Sequence, residues 1–184
     1  MSARFPVFIR RHYAVLLFAC LAAACGDPPT LLNSERIRQK FGTYGIEIIH
    51  ADDMQRTACL YSKSDSVNIC RTVAVVKFSA PIDVAYSAEH AAILAGGSIG
   101  EVFREAGWTI AKRHLFTGEL AVPRSGQDIF RIMHIAPLES LATHKYIFEI
   151  RRGEQKFDYA SITEIHHPGY LTDDELGAIY GVLP

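Results

Sequence analysis

In several segments between Tyr44 and Ile165 apolar residues tend to recur at every second position, the spacing that turns one face of an extended strand toward a core. Tyr44 to His50 (YGIEIIH) and Arg56 to Ser62 (RTACLYS) predict two strands on either side of a turn at Asp52-Asp53. Ile69 to Ser79 (ICRTVAVVKFS) predicts a third. Its Val73, Val75, Val76 and Phe78 are apolar on both faces, as a central strand requires. The polar run Lys63 to Asn68 reads as the loop of this β-meander. Trp108 to Thr117 predicts a further strand, with Trp108, Ile110, Lys112, His114 and Phe116 on one face and Ala111, Arg113 and Leu115 on the other. Gly118 to Gln127 reads as a loop, and Asp128 to Ile135 (DIFRIMHI) as a strand whose pattern also suits a helix. Lys145 to Arg152 turns at Gly153-Glu154 into Lys156 to Ile165, a C-terminal hairpin.

Helical patterns punctuate the strands. Ser34 to Phe41 predicts a short helix closed by Gly42, with Ile37 and Phe41 on a shared face. Tyr86 to Ala95 predicts a second, ended by Gly96-Gly97. Ser98 and Glu101 have the spacing of a capping box, opening a third helix to Ala106; Thr172 and Glu175 repeat the device before a last helix to Tyr180. Runs of strands interrupted by helices predict an α+β fold: a mainly antiparallel sheet, built from the meander, further strands and the hairpin, with helices packed on it. No repeat or low-complexity tract is visible.

The first residues follow another pattern. MSARFPVFIRRHY carries Arg4, Arg10 and Arg11 and no acid, and Ala14 to Ala24 is an unbroken apolar run ending in three alanines. A basic start, a short apolar core and a small-residue exit describe an export signal; the run is short of the about 20 residues a membrane span needs. Leu21-Ala22-Ala23-Ala24-Cys25 resembles the lipobox of bacterial lipoproteins, with Leu21 one place further from the cysteine than in the commonest pattern. The resemblance covers residues 1 to about 26. It implies that residues 1–24 are removed and that Cys25 is acylated, with palmitate among the chains. It also implies that the lipid bilayer is the first partner. Gly26 rather than an acid follows Cys25, which by the same resemblance implies the periplasmic face of an outer membrane. Cys20, after Leu17-Phe18-Ala19, is the rival lipidation site but leaves only about five apolar residues ahead of it. Ordinary signal cleavage after Ala24 is a third possibility.

Residues 25–33 are then the acylated cysteine and a tether, in which Pro28 and Pro29 disfavour helix, and 34–184 a single domain. With Cys20 removed and Cys25 acylated, Cys59 and Cys70 remain as an even pair in an oxidising compartment. Their places in the second and third strands allow them to meet, predicting a disulfide.

Charge excludes one class of partner. The formal net charge of −1 becomes more negative once the three leading arginines are lost, and the densest basic run, Lys112-Arg113-His114, is short. Nucleic acid is not an expected partner. Gly96-Gly97 follows a helix rather than a strand, so it does not read as a phosphate-binding loop, and no Gly-x-Ser-x-Gly elbow is present. Glu164 and His166 share a strand face; with His167 beside them and His114 elsewhere they form a candidate ligand or metal set, against the plainer reading of a polar strand end. Lys112, Arg113 and His114 are a candidate anion patch. Glu89 and His90 adjoin on a helix but point apart. No cofactor is implied. The expected function is a membrane-tethered binding or accessory module for an envelope protein or cell-wall component. The alternative is an envelope hydrolase whose site gathers dispersed residues among His90, His114, His134, Glu164, His166 and His167.

Overall fold

The first meander forms as the alternation predicts, and its strands run further into the turns than the polar composition suggests. The computed structural model describes residues 31–122, 126 and 128–181. Cys20, Cys25, the apolar run before them and residues 26–30 of the tether lie outside the described residues. Helix α1 (Asn33–Phe41) precedes strands β1 (Gly45–Ala51), β2 (Gln55–Ser64) and β3 (Val67–Phe78). The β2–β3 loop shrinks to Asp65-Ser66, both with positive φ, so Lys63, Ser64, Val67 and Asn68 are strand residues. A 3-10 turn (Val84–Tyr86) leads into α2 (Ser87–Leu94) and α3 (Ile99–Glu105). Strand β4 (Thr109–Ala121), helix α4 (Asp128–Met133), strands β5 (Ser140–Arg152) and β6 (Gln155–His166), and helix α5 (Asp173–Tyr180) complete the chain.

All six strands pair antiparallel in one sheet of order β1-β2-β3-β6-β5-β4. The fold is α+β, with helices packed on the sheet. The strand order is unchanged when β1–β3 are exchanged with β4–β6: two meanders meet at the central β3–β6 pair. This duplication lies in the topology, not in any visible repeat of residues.

The pairing register assigns the side chains to two faces. Arg56, Val76, Ile162, Tyr146 and His114 form one row across the sheet, and Ala58, Ala74, Glu164, His144 and Thr117 form the next on the same face. This face is roofed by helices. Ile93 of α2 and Phe103 of α3 pack with Val76, Tyr146, Phe148 and Tyr159, while Ile37 of α1 and Leu176 of α5 pack with Ala58, Leu60 and Ala74. On the opposite face Ile129, Phe130 and Met133 of α4 cover Cys59, Cys70 and Val73. Cys59 and Cys70 are joined as a disulfide with Cα atoms 5.6 Å apart.

Four expectations need correction. Asp128–Met133 is helical, not a strand, because Ile129, Phe130 and Met133 at i, i+1 and i+4 meet one surface only when wound. The predicted loop from Gly118 is strand as far as Ala121. A register shift between His114 and Phe116 moves Phe116 away from the face of Lys112 and His114, which it was expected to share, and brings Thr117 onto it. The tether is shorter than expected, because Leu32 and Asn33 are already buried in the domain (5% and 4% exposed).

Candidate ligand cavity

Between the helix-covered face of the sheet and the N-terminal ends of α1 and α3 lies a cavity of about 70 Å³. Small side chains make room for it: Ala58 and Ala74 form part of the floor, and Gly100 is in the roof. A Cβ at Gly100 would stand 2.5 Å from Leu32 Cδ1, so the absence of a side chain there lets α3 approach the start of α1. Two reciprocal ion pairs tie the roof helices together. Arg104 of α3 binds Glu35 of α1 at 2.6 Å, and Arg38 of α1 binds Glu101 of α3 at 3.3 Å.

The lining is unusually charged for so small an enclosure. It includes Arg56, Lys112 and Glu164, with Ser34 and Tyr44. Arg56 is buried and donates from Nη1 to the carbonyls of Ile93 (2.9 Å) and Gly97 (2.8 Å), which pins the α2–α3 turn. Lys112 enters from the outer strand β4 and lays its ammonium over the Tyr146 ring, 4.4 Å from the centroid. Tyr146 donates its hydroxyl to Glu164 Oε1 at 3.1 Å. Burial pushes the Glu164 carboxyl up, but the positive charge of Lys112 and the nearby His144 imidazole outweigh it, holding the acid well below the usual carboxylate range. Burial pushes the Lys112 ammonium down, opposed by Glu164.

Three buried side-chain atoms of this lining have no hydrogen-bond partner: Ser34 Oγ, Arg56 Nε and Glu164 Oε2. A buried polar atom without a partner costs about 1–3 kcal/mol, more when charged, and folded proteins hold few of them. All three residues line the same half-open cavity, as in a site completed by solvent or a small polar ligand.

Behind the cavity runs a polar network. His144 Nδ1 stands 3.8 Å from Glu164 Oε2, and His144 Nε2 shares a 2.8 Å hydrogen bond with His114 Nδ1. The Tyr180 ring of α5 stacks on His144 at 4.0 Å, and its hydroxyl accepts from Arg36. On the next row His166 Nδ1 bonds Thr72 Oγ1 at 3.0 Å; Thr72 accepts from Asn33 Nδ2, and Asn33 Oδ1 accepts from the Tyr170 hydroxyl. Burial, with neighbouring positive charge, drives His114 and His166 down to about 4, so both are neutral imidazoles near neutral pH.

The structure thus brings Glu164, His114 and His166 into one polar layer, but only Glu164 among them lines the cavity. His167 lies past the end of β6 and accepts from the Gly169 N–H. His134 ends α4 on the other face, beside a surface cleft of about 470 Å³ next to the disulfide. His90 bonds the Tyr159 hydroxyl at 2.9 Å, while Glu89 accepts from the Trp108 indole and pairs with Arg152. Lys112 and Arg113 do not form one anion patch: they occupy opposite faces, and Arg113 pairs with Glu149 and Asp158. Among the described residues no three His, Cys, Asp or Glu are disposed to hold a metal ion.

Sequence reading missed Arg56, Ser34, Tyr146 and His144 as site residues. Carrying the alternation back from Tyr146 by two places puts His144 on the face of Glu164, a signal that was there to follow. Nothing in the sequence marks Arg56, because its role depends on the α2–α3 turn.

Comparison with protein-family models and with curated protein sequences returns no match for this chain. Among the described residues no helix is long and apolar enough to cross a membrane.

Proposed function

We propose that this chain is a membrane-tethered binding module of the cell envelope, anchored through acylated Cys25 at the periplasmic face of the outer membrane. The cavity beneath α1 and α3 serves as its ligand site. The observation that carries the binding role is that Ser34, Arg56 and Glu164, each with an unpartnered buried atom, line a single cavity. Support for the anchor comes from the lipobox-like sequence and from the even cysteine pair, which stands as a disulfide. With the domain beginning by Leu32, residues 26–31 span at most about 20 Å, so an anchored domain sits close to the lipid surface.

The hydrolase alternative draws less support. Of its six residues, His90, His134 and His167 sit apart from the polar layer, and His114 and His166 are held in packed hydrogen bonds away from the cavity lining. A general acid or base must reach a bound substrate, and among the described lining residues Glu164 alone of the six does so.

Native mass spectrometry tests the proposal on protein expressed in a Gram-negative host and extracted from membranes in mild detergent. The expected species begins at Cys25, carries acyl mass and is lighter by the hydrogens lost to the Cys59–Cys70 bond. A chain without acyl mass, or one retaining residues 1–24, overturns the anchored reading.

A further inference from the structure

The charges around the cavity do not cancel. Arg56 and Lys112 are cationic and Glu164 is anionic, so the three charged residues of the described lining leave one positive charge in excess. No carboxylate among the described residues stands within ion-pair distance of either cation. Arg56 spends Nη1 on backbone carbonyls, which bring no charge, and keeps Nε free; the Lys112 ammonium rests on a ring face. Arg56 is buried and Lys112 half-buried, and a charge so placed is costly unless an anion meets it.

The donors and the space narrow the identity of that anion. Arg56 Nε, the Lys112 ammonium and the Ser34 hydroxyl can donate, and Ser34 sits in the first turn of α1, where the helix dipole also favours negative charge. Leu32 at the head of α1 has no polar side chain to cap that turn, and Glu35 Oε2 takes only the Leu32 N–H, at 2.6 Å. Glu164 Oε2 lacks a donor, which suits a ligand hydroxyl or an accompanying water. A volume of about 70 Å³ holds a few water-sized groups, so the part of a ligand that enters it is small, and a sugar, nucleotide or peptide does not fit wholly inside.

We propose that the cavity binds a small planar monovalent oxyanion, a short-chain carboxylate or bicarbonate, between Lys112, Arg56 and Ser34, with Glu164 selecting forms that carry a hydrogen-bond donor or a bound water. This deepens the binding reading above and rests on it. The ion pairs Glu35–Arg104 and Arg38–Glu101 hold α1 and α3 together along one side of the cavity, which is otherwise half open to solvent.

The experiment is a titration of the mature protein in mild detergent with ¹³C-labelled formate, acetate and bicarbonate, followed by NMR, at constant ionic strength and with chloride as control. One saturating site is expected. The better-bound of the carboxylates and bicarbonate identifies the source of the oxyanion. Lys112→Met is expected to weaken binding by about tenfold or more, as loss of a charge-assisted hydrogen bond implies. Ser34→Ala, which removes a hydroxyl that has no protein partner and so should fold normally, is expected to weaken it by a few-fold. Lys77→Met, an exposed lysine on the open face, should leave it unchanged. Absence of saturable binding for all three anions, or binding that neither Lys112→Met nor Ser34→Ala reduces, overturns the proposal and leaves a hydrated cavity. The intact mass of the same preparation reports the Cys25 anchor separately, so the ligand and the tether fail independently.

Discussion

Tyr146 stands between the two opposite charges of the cavity: its hydroxyl donates to Glu164 at 3.1 Å, and its ring carries the Lys112 ammonium 4.4 Å from the centroid. Lys112 and Glu164 lie on strands that do not touch, β4 and β6, with β5 between them. Their coupling therefore depends on a side chain of the intervening strand. Removal of the Glu164 charge takes from half-buried Lys112 its opposing charge and weakens the Tyr146 hydrogen bond, a loss of about 1–3 kcal/mol. Glu164→Gln is expected to lower the unfolding free energy from urea titration by that amount, and Tyr146→Phe by about 1–2 kcal/mol. The double variant Lys112→Met/Glu164→Gln should recover much of the loss. Additive losses in this cycle would show that the two charges do not interact.

Acid should destabilise the domain in two stages. His114 and His166 are depressed to about 4 from an ordinary value of 6.5, so the unfolded chain takes up protons that the folded one refuses. Their stabilisation is complete above about pH 6.5 and is lost as the pH falls toward 4. His166, the more buried, sets a slope of up to about 1.4 kcal/mol per pH unit in that window. Glu149, held down to about 2 by Lys156, Arg151 and Arg113 against the upward push of burial, and Glu164, also depressed, act lower. Their contribution is present above about pH 4.5 and disappears as the pH falls further. Urea midpoints measured from pH 8 to pH 3 should be level above about pH 6.5 and decline below it; a flat profile between pH 6.5 and 4.5 would contradict the buried neutral imidazoles.

The disulfide joins positions 11 apart, and closing a loop of that size contributes about 3 kcal/mol on the chain-entropy view. Cys59→Ala/Cys70→Ala should lower the unfolding free energy by roughly that amount. It should leave anion binding intact, because the bond lies on the sheet face opposite the cavity. Calorimetry and the NMR titration on the same variant separate the two effects.

Gly100→Ala sets two terms against each other. A helix interior gains about 1 kcal/mol from Gly→Ala, but the new methyl group would stand 2.5 Å from Leu32 Cδ1, and Leu32 is buried. Overpacking of about 1–3 kcal/mol exceeds the gain, so a Tm lower by a few degrees is expected. Leu32 must shift into the cavity or lift α1 from it, so oxyanion binding should fall as well. A Tm at or above that of the parent chain would show that the roof is looser than it is drawn here.

The sequence by itself determined the elements whose signals are local. Alternation marked the hairpin of β5 and β6, and the Thr172–Glu175 capping box, formed with both its hydrogen bonds, marked the start of α5. The shared face of Glu164 and His166 follows from strand period alone, and the pairing of Cys59 with Cys70 from the cysteine count and their places on neighbouring strands. Ser98 shows the limit of such signals. The same spacing to Glu101 forms no side-chain cap, because its hydroxyl is turned to Tyr44.

Tertiary structure decided what depends on distant partners. DIFRIM winds into a helix because the disulfide and Val73 offer a surface that its three apolar side chains meet only at helical spacing. A single-residue slip at Leu115 moved Phe116 off the face of His114, since strand period allows no other outcome of an extra residue. The cavity joins Ser34 of α1, Arg56 of β2, Lys112 of β4 and Glu164 of β6. These residues lie far apart in the chain and converge because two meanders meet at β3 and β6 beneath a shared helical roof. Periodicity reports which face a side chain takes; only the docking of one element on another sets which charges share an enclosed space.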